Sequence, residues 1–211
     1  MIIRYALRRA SILALATFVG CFGLGSAAFA DSIDFADGTW NACAGNSSCT
    51  VGGTQLSTLG TGNITLNGLD GVGIGDDEIG LSLSGQETLR ITFASTVTLQ
   101  TVSITDLFNN DLGFLTESGQ YSINGSGTFN TFAANSSTGD RLLTLNLSGV
   151  NSITFRAVSD LGLSDFSIRG LTYSTSVPEP SSLLFLGSAM TFVALTVRRR
   201  SYSKSKPEVC L

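Results

Sequence analysis

The chain predicts an all-β body, an antiparallel β-sandwich of jelly-roll type, flanked by an N-terminal signal helix and a C-terminal transmembrane helix. Three observations lead there. Apolar and polar residues alternate with period two through residues 31–176, turn dipeptides separate the alternating runs, and long uninterrupted apolar runs occur only at the two ends.

The alternation is explicit. Leu81-Ser82-Leu83-Ser84, Leu89-Arg90-Ile91-Thr92-Phe93, Val97-Thr98-Leu99-Gln100 and Val102-Ser103-Ile104-Thr105 come first. Leu143-Thr144-Leu145-Asn146-Leu147, Ile153-Thr154-Phe155-Arg156-Ala157 and Phe166-Ser167-Ile168-Arg169 follow. Successive strand side chains face opposite ways, so such runs bury one face and wet the other. Asn67-Gly68, Ser84-Gly85, Asn124-Gly125, Thr138-Gly139 and Ser148-Gly149 mark the turns between them. Short, regularly spaced strands with one polar face predict a sandwich of eight or so strands. No repeat period points to a solenoid or propeller.

Residues 1–30 have the three parts of a secretory signal. Arg4, Arg8 and Arg9 form the basic region, Ile12 to Leu24 the apolar region, and Ala28-Phe29-Ala30 a small-x-small cleavage site before Asp31. Phe18-Val19-Gly20-Cys21 loosely resembles a lipobox, but the apolar run continues past Cys21. At the other end, Val177-Pro178-Glu179-Pro180 precedes an uncharged apolar run of 17 residues over 181–197, and Arg198-Arg199-Arg200 closes it. As a helix that run spans about 25 Å, slightly short of the roughly 30 Å hydrocarbon core. The three arginines suit a cytoplasmic flank, with residues 201–211 as a cytoplasmic tail and 31–176 outside. Pro178 and Pro180 fix φ and remove two backbone donors, and the residue before each is pushed toward extended conformations. The segment therefore stays extended, as a protease substrate must.

The string VPEPSSLLFLGSAMTFVALTVRRR, residues 177–200, closely resembles the PEP-CTERM sorting signal of exopolysaccharide-producing Gram-negative bacteria. The residues that carry the resemblance are Val177, Pro178, Glu179, Pro180, the Leu/Gly-rich run, and Arg198, Arg199 and Arg200. It implies processing by an exosortase, a membrane-embedded cysteine transpeptidase-like enzyme. The protein would be anchored in the inner membrane before cleavage, then passed to the cell surface or extracellular matrix. The resemblance covers 24 of the 211 residues and leaves the middle unassigned. The tail beyond Arg200 is longer than that signal usually has, and Cys210 lies outside it.

The middle, 31–176, carries four arginines, no lysine and fourteen carboxylates, a net charge of −10 that the whole-chain value of −4 conceals. An acidic surface of this kind disfavours nucleic acid and anionic membranes. Histidine is absent, which excludes Ser-His-Asp and Cys-His nucleophile systems and the usual histidine-bearing zinc sites. A pair of carboxylates working on a glycosidic bond is not excluded. Cys43 and Cys49 flank a Gly/Asn/Ser loop and predict a small disulfide in an oxidising compartment. Four Asn-x-Ser/Thr tripeptides, at Asn63, Asn124, Asn135 and Asn146, read as ordinary polar turns and strand faces in a bacterial protein.

One local cluster offers chemistry. Asp76, Asp77 and Glu78 follow the glycine-rich Gly71-Val72-Gly73-Ile74-Gly75, and such a loop can wrap oxygen ligands around Ca²⁺. The competing reading is a solvated acidic turn. A second resemblance uses both ends of the domain. Ile33-Asp34-Phe35-Ala36-Asp37-Gly38-Thr39-Trp40 and Asp165-Phe166-Ser167-Ile168 resemble the first and last strands of jelly-roll carbohydrate-binding modules. That resemblance implies a structural calcium held between Asp34 or Asp37 and Asp165, although Ala36 replaces the usual acidic residue after the first-strand phenylalanine. Trp40, Tyr121 and Tyr173 are the aromatics available for stacking on sugar rings, with a core position the favoured reading of Trp40.

These readings converge on an exported, non-catalytic surface or matrix protein that associates with biofilm or exopolysaccharide and has an exosortase and the membrane as partners. A calcium-stabilised carbohydrate-binding module is the alternative. A carboxylate-based glycosidase using Asp77 and Glu78 ranks below both.

Overall fold

The alternating runs form antiparallel strands in the computed structural model, which describes residues 29–75, 78–82, 85–111, 115–158 and 164–175, together with 187–189, 191–192 and 195 near the C-terminus. Most of the signal segment, the sorting residues Val177, Pro178, Glu179, Pro180, Arg198, Arg199 and Arg200, and Asp76 and Asp77 lie outside the described residues. Residues 187–189, 191–192 and 195 are helical, and Thr191 Oγ1 donates to the Gly187 carbonyl at 2.8 Å. Among the described residues no helix is long and apolar enough to cross a membrane.

The β body is the compact unit Ala28–Ser176. Its strands, in chain order, are β1 (Phe29–Asp34), β2 (Ser48–Val51), β3 (Thr54–Thr58), β4 (Ile64–Asn67), β5 (Gly71–Ile74), β6 (Leu81–Ser82) and β7 (Gly85–Gln86). Then come β8 (Thr88–Thr105), β9 (Asn109–Asp111), β10 (Leu115–Thr116), β11 (Ser118–Ile123), β12 (Asn130–Ala133), β13 (Arg141–Ala157) and β14 (Ser167–Thr175). Ten of them form one antiparallel sheet, against the eight or so strands expected. The surplus comes from short pieces such as β2, which pairs β3 as a hairpin closed at Val51↔Thr54.

Two long strands make this sheet a sandwich. β8 and β13 pair along almost their whole lengths, but their register shifts three times between Thr144 and Ser152. Asn146 (φ 51°) and Gly149 (φ 74°) take left-handed backbone there. Such irregularities bend and twist the ribbon. Beyond the bend the partners change. The first half of β8 lies beside β3, through Leu56↔Ile91, and its second half beside β14, through Leu171↔Val102. One half-sheet is therefore β12–β11–β13–β8–β3–β2, and the other is β13–β8–β14 with β1 and β5–β4 on its far side.

The two halves share one core. Leu56, Ile91, Ile153 and Phe155 from the first half and Val102, Ile104, Ile168 and Leu171 from the second belong to one buried cluster. Phe166 joins it, meeting Phe132 edge-on at 5.3 Å between centroids. Gly119 makes room for this aromatic pair, since a Cβ there would stand 2.6 Å from Phe132 Cε2 and 2.7 Å from Phe166 Cε1. Gly71 (φ 107°) does the same where β5 crosses β14, since its Cβ would lie 2.6 Å from the Arg169 Cα. Cys43 and Cys49 form a disulfide that ties a short 3-10 turn (Asn41–Cys43) to β2.

Candidate functional site: a polar groove across the second half-sheet

Side chains on the outer face of the second half-sheet follow from the register. Ile33, Leu171, Val102 and Leu143 lie in one row across β1, β14, β8 and β13 and face the core. The rows on either side therefore face out. One is Asp34, Gly170, Ser103 and Leu142, and the other is Ser32, Thr172, Thr101 and Thr144. Gly170 contributes no side chain, and a register shift beside it places Arg169 at the same opening. The result is an open groove of about 260 Å³ lined by Ser32, Asp34, Thr101, Ser103, Leu142, Arg169 and Thr172, among others.

Its chemistry is mixed and mild. Thr101 and Thr172 share a hydrogen bond of 2.5 Å between hydroxyls, which orders the floor. Leu142 is 64% exposed and gives one wall an apolar patch. Arg169 and Asp34 bring one cation and one carboxylate to the same groove. Hydroxyl donors and acceptors beside a small apolar surface suit a polyhydroxylated ligand. Among the described residues Asp34 is the single carboxylate in the lining, so a two-carboxylate hydrolysis here would need its second acid from elsewhere.

Of the acidic residues singled out in the sequence and described in the structure, only Asp34 lines this groove. Its Oδ1 accepts the Ala36 amide at 2.9 Å, and Asp37 Oδ1 accepts the Thr39 amide at 2.8 Å. Each thus shapes its own turn, as short acidic side chains commonly do. Asp165 lies elsewhere, its Cβ 3.5 Å from where a Cβ on Gly80 would stand. The Glu78 carbonyl accepts the Ile74 amide at 3.3 Å and helps close the acidic loop. Among the described residues no three of His, Cys, Asp and Glu are grouped so as to hold a metal ion.

Glu87 and Glu117 escaped the sequence reading. Glu87 is 8% exposed, its Oε2 accepts the Gly80 amide at 2.9 Å, and a Cβ on Gly75 would sit 2.9 Å from its Oε1. Glu117 is 4% exposed and accepts the Phe108 amide at 2.5 Å. Each buried carboxyl group holds down a loop at a sheet end through a hydrogen bond that compensates part of its desolvation. Their only signal in sequence was a charge within or beside a strand, which does not separate a buried staple from a solvated face.

The aromatics divide clearly. Trp40 is 4% exposed and packs edge-on against Phe35 at 5.0 Å, so it belongs to the core. Tyr173 packs on Phe93 at 5.1 Å and Tyr121 stacks with Phe132 at 6.5 Å. Burial raises the Tyr173 pKa above its ordinary 10.0, the Asp31 carboxylate raises it further, and a hydrogen bond with Thr54 acts the other way.

The chain matches no protein-family model and no curated protein. Solved structures give remote likenesses. An exo-β-1,3-galactanase from Phanerochaete chrysosporium, solved with galactose, is 13% identical over 69% of this chain and 29% of that one, with a TM-score of 0.41. The F5/8 type C domain of a Bacteroides fragilis protein is 14% identical over 63% of this chain and 99% of that one, at a TM-score of 0.37. A family 32 carbohydrate-binding module of C. perfringens NanJ, in complex with galactose, is 14% identical over 70% of this chain and 92% of that one, at 0.28. At these identities and scores they assign no function to this chain. The galactanase is also much the longer protein, and this chain spans 29% of it.

Proposed function

We propose that this is an exported, non-catalytic surface or matrix protein, sorted by an exosortase through Val177, Pro178, Glu179, Pro180, Arg198, Arg199 and Arg200, whose β-sandwich associates with extracellular polysaccharide. The observation that carries the polysaccharide half of this reading is the hydroxyl-lined groove with Leu142 on its wall. An open groove across strands accepts a chain that extends past both ends, which an enclosed pocket does not. The sorting half rests on the motif and on where the body's ends leave it. Phe29 pairs Thr175 and Ala30 pairs Ser174, so the first and last described residues of the body lie side by side at one corner of the sheet. Once the signal is removed after Ala30, a body still held through its C-terminal end is released by one further cut within 177–180.

Intact mass of the protein recovered from membrane and released fractions of its host tests the sorting half. A product beginning at Asp31 and ending within 177–180 is expected. Pro178→Ala/Pro180→Ala should abolish that C-terminal cut, and processing that continues unchanged would rule out the sorting model.

A second reading, a calcium-stabilised module, draws on the acidic segment whose flanking Gly75 and Gly80 lie against Glu87. The described residues do not complete an oxygen shell, so Asp76, Asp77 and loop carbonyls would have to supply it. Calcium should then raise the melting temperature by several degrees and a chelator should reverse it. An identical melt in both buffers would remove calcium from the account.

A further inference from the structure

The first half-sheet presents a different outer face. Its strands β2, β3, β8, β11, β12 and β13 contain no Asp or Glu, although the body around them carries fourteen. Two of the body's four arginines stand on this face. Leu89, Ile91, Ile153 and Phe155 are fully buried, so Arg90, Thr154 and Arg156 project from the opposite side of the sheet. Arg90 lies directly across from Thr154, and Arg156 is two residues further along β13. That diagonal separates the two arginines by about 7–8 Å at the backbone, within reach of long side chains.

Both guanidinium groups are held by neutral partners. Arg90 Nε donates to Thr154 Oγ1 at 3.3 Å, and Arg156 Nε donates to Gln120 Oε1 at 2.9 Å. The Arg156 guanidinium also lies over the Phe129 ring, 3.5 Å from its centroid. Neither arginine has a carboxylate partner among the described residues. Two positioned cations without a carboxylate partner among the described residues, on strands that carry no Asp or Glu and beside Gln55, Thr92 and Thr131, make a surface complementary to anions.

We propose that this face binds a carboxylate-bearing polysaccharide, with Arg90 and Arg156 each engaging a carboxylate and the surrounding amides and hydroxyls meeting sugar hydroxyls. The proposal rests on the reading that the body associates with polysaccharide, and it specifies the class: a polyuronate rather than a neutral glycan. Charge density favours that occupant. Duplex DNA carries one charge per about 1.7 Å, and the body's net charge of −10 opposes so dense a polyanion. A polyuronate carries one carboxylate per sugar and can meet two local cations while the remaining acidic surface is screened beyond about 8 Å at physiological salt. The face lies on the other half-sheet from the groove at Leu142 and shares no residue with it.

Binding of the full chain, purified in neutral detergent, should be measured on immobilised polygalacturonate with neutral dextran as comparator. Polygalacturonate should retain the protein at about 0.15 M salt, where the acidic surface is screened, and release it as salt rises further. Arg90→Gln and Arg156→Gln should each weaken retention about tenfold, the double variant more, and Arg156→Lys should restore part of it. All variants should keep the parent's melting temperature. Equal retention of parent and double variant would overturn the proposal, as would Arg-dependent binding to phosphatidylglycerol vesicles without binding to polygalacturonate. Dextran binding that Leu142→Asp abolishes and the double variant spares, with no retention on polygalacturonate, would overturn the arginine face while sustaining the groove. No retention on either glycan would overturn both.

Discussion

Tyr173 shows how one side chain links packing to pH. Its hydroxyl titrates above 10.0 because burial beside Phe93 and the Asp31 charge both disfavour the phenolate. The folded state therefore holds the proton more tightly than the unfolded chain does. The resulting stabilisation is intact below the ordinary tyrosine pKa and is lost as the pH rises from there through the raised folded value. Tyr173→Phe should flatten the alkaline limb of a melting-temperature profile, and an unchanged limb would show that Tyr173 does not govern it. Gly71 is decided by geometry alone. A side chain there meets the β14 backbone at a positive φ, so Gly71→Ala should cost about 2–4 kcal/mol in chemical denaturation. A loss below about 1 kcal/mol would mean that the β5–β14 crossing relaxes easily.

Among the elements, the bend of β13 depends on a residue outside it. Asn124, itself at φ 53°, donates from Nδ2 to the Gly149 carbonyl at 2.8 Å and accepts the Asn151 and Ser152 amides on Oδ1 at 2.7 and 3.1 Å. One side chain thus holds three backbone groups that the bulges remove from the ladder. Asn124→Ala should cost about 1–3 kcal/mol, and Asn124→Asp, which keeps the acceptor, should cost less. Equal losses would place the effect in the left-handed backbone instead. The Cys43–Cys49 bridge closes a loop of sequence separation 6, so its contribution is modest. Replacing both cysteines with serine and alanine should lower stability by about 2 kcal/mol, read as a shift of several degrees in melting temperature.

At the scale of the whole molecule, the strands were readable because burial on one face imposes period two, which Leu89 to Phe93 and Ile153 to Ala157 display directly. The disulfide was readable because two cysteines six residues apart, in a chain whose first 30 residues read as an export signal, have few other expected uses. The groove was not readable. Asp34, Thr101, Leu142 and Thr172 come from four strands far apart in the chain, and only their register makes them neighbours. Arg90 and Arg156 were similarly visible only as two polar positions in separate alternating runs. The chain alone determined local matters: the β content, the inward and outward face of each run, the Cys43–Cys49 loop and the marked composition of the two ends. Tertiary structure decided which strands lie side by side, that β8 and β13 bend to serve both halves, that Glu87, Glu117 and Trp40 are buried, and that two arginines share a face whose strands carry no Asp or Glu. The physical reason is the range of the forces. Side-chain alternation is written within a few residues, whereas strand partners are chosen by long-range burial and pairing, which no single segment encodes.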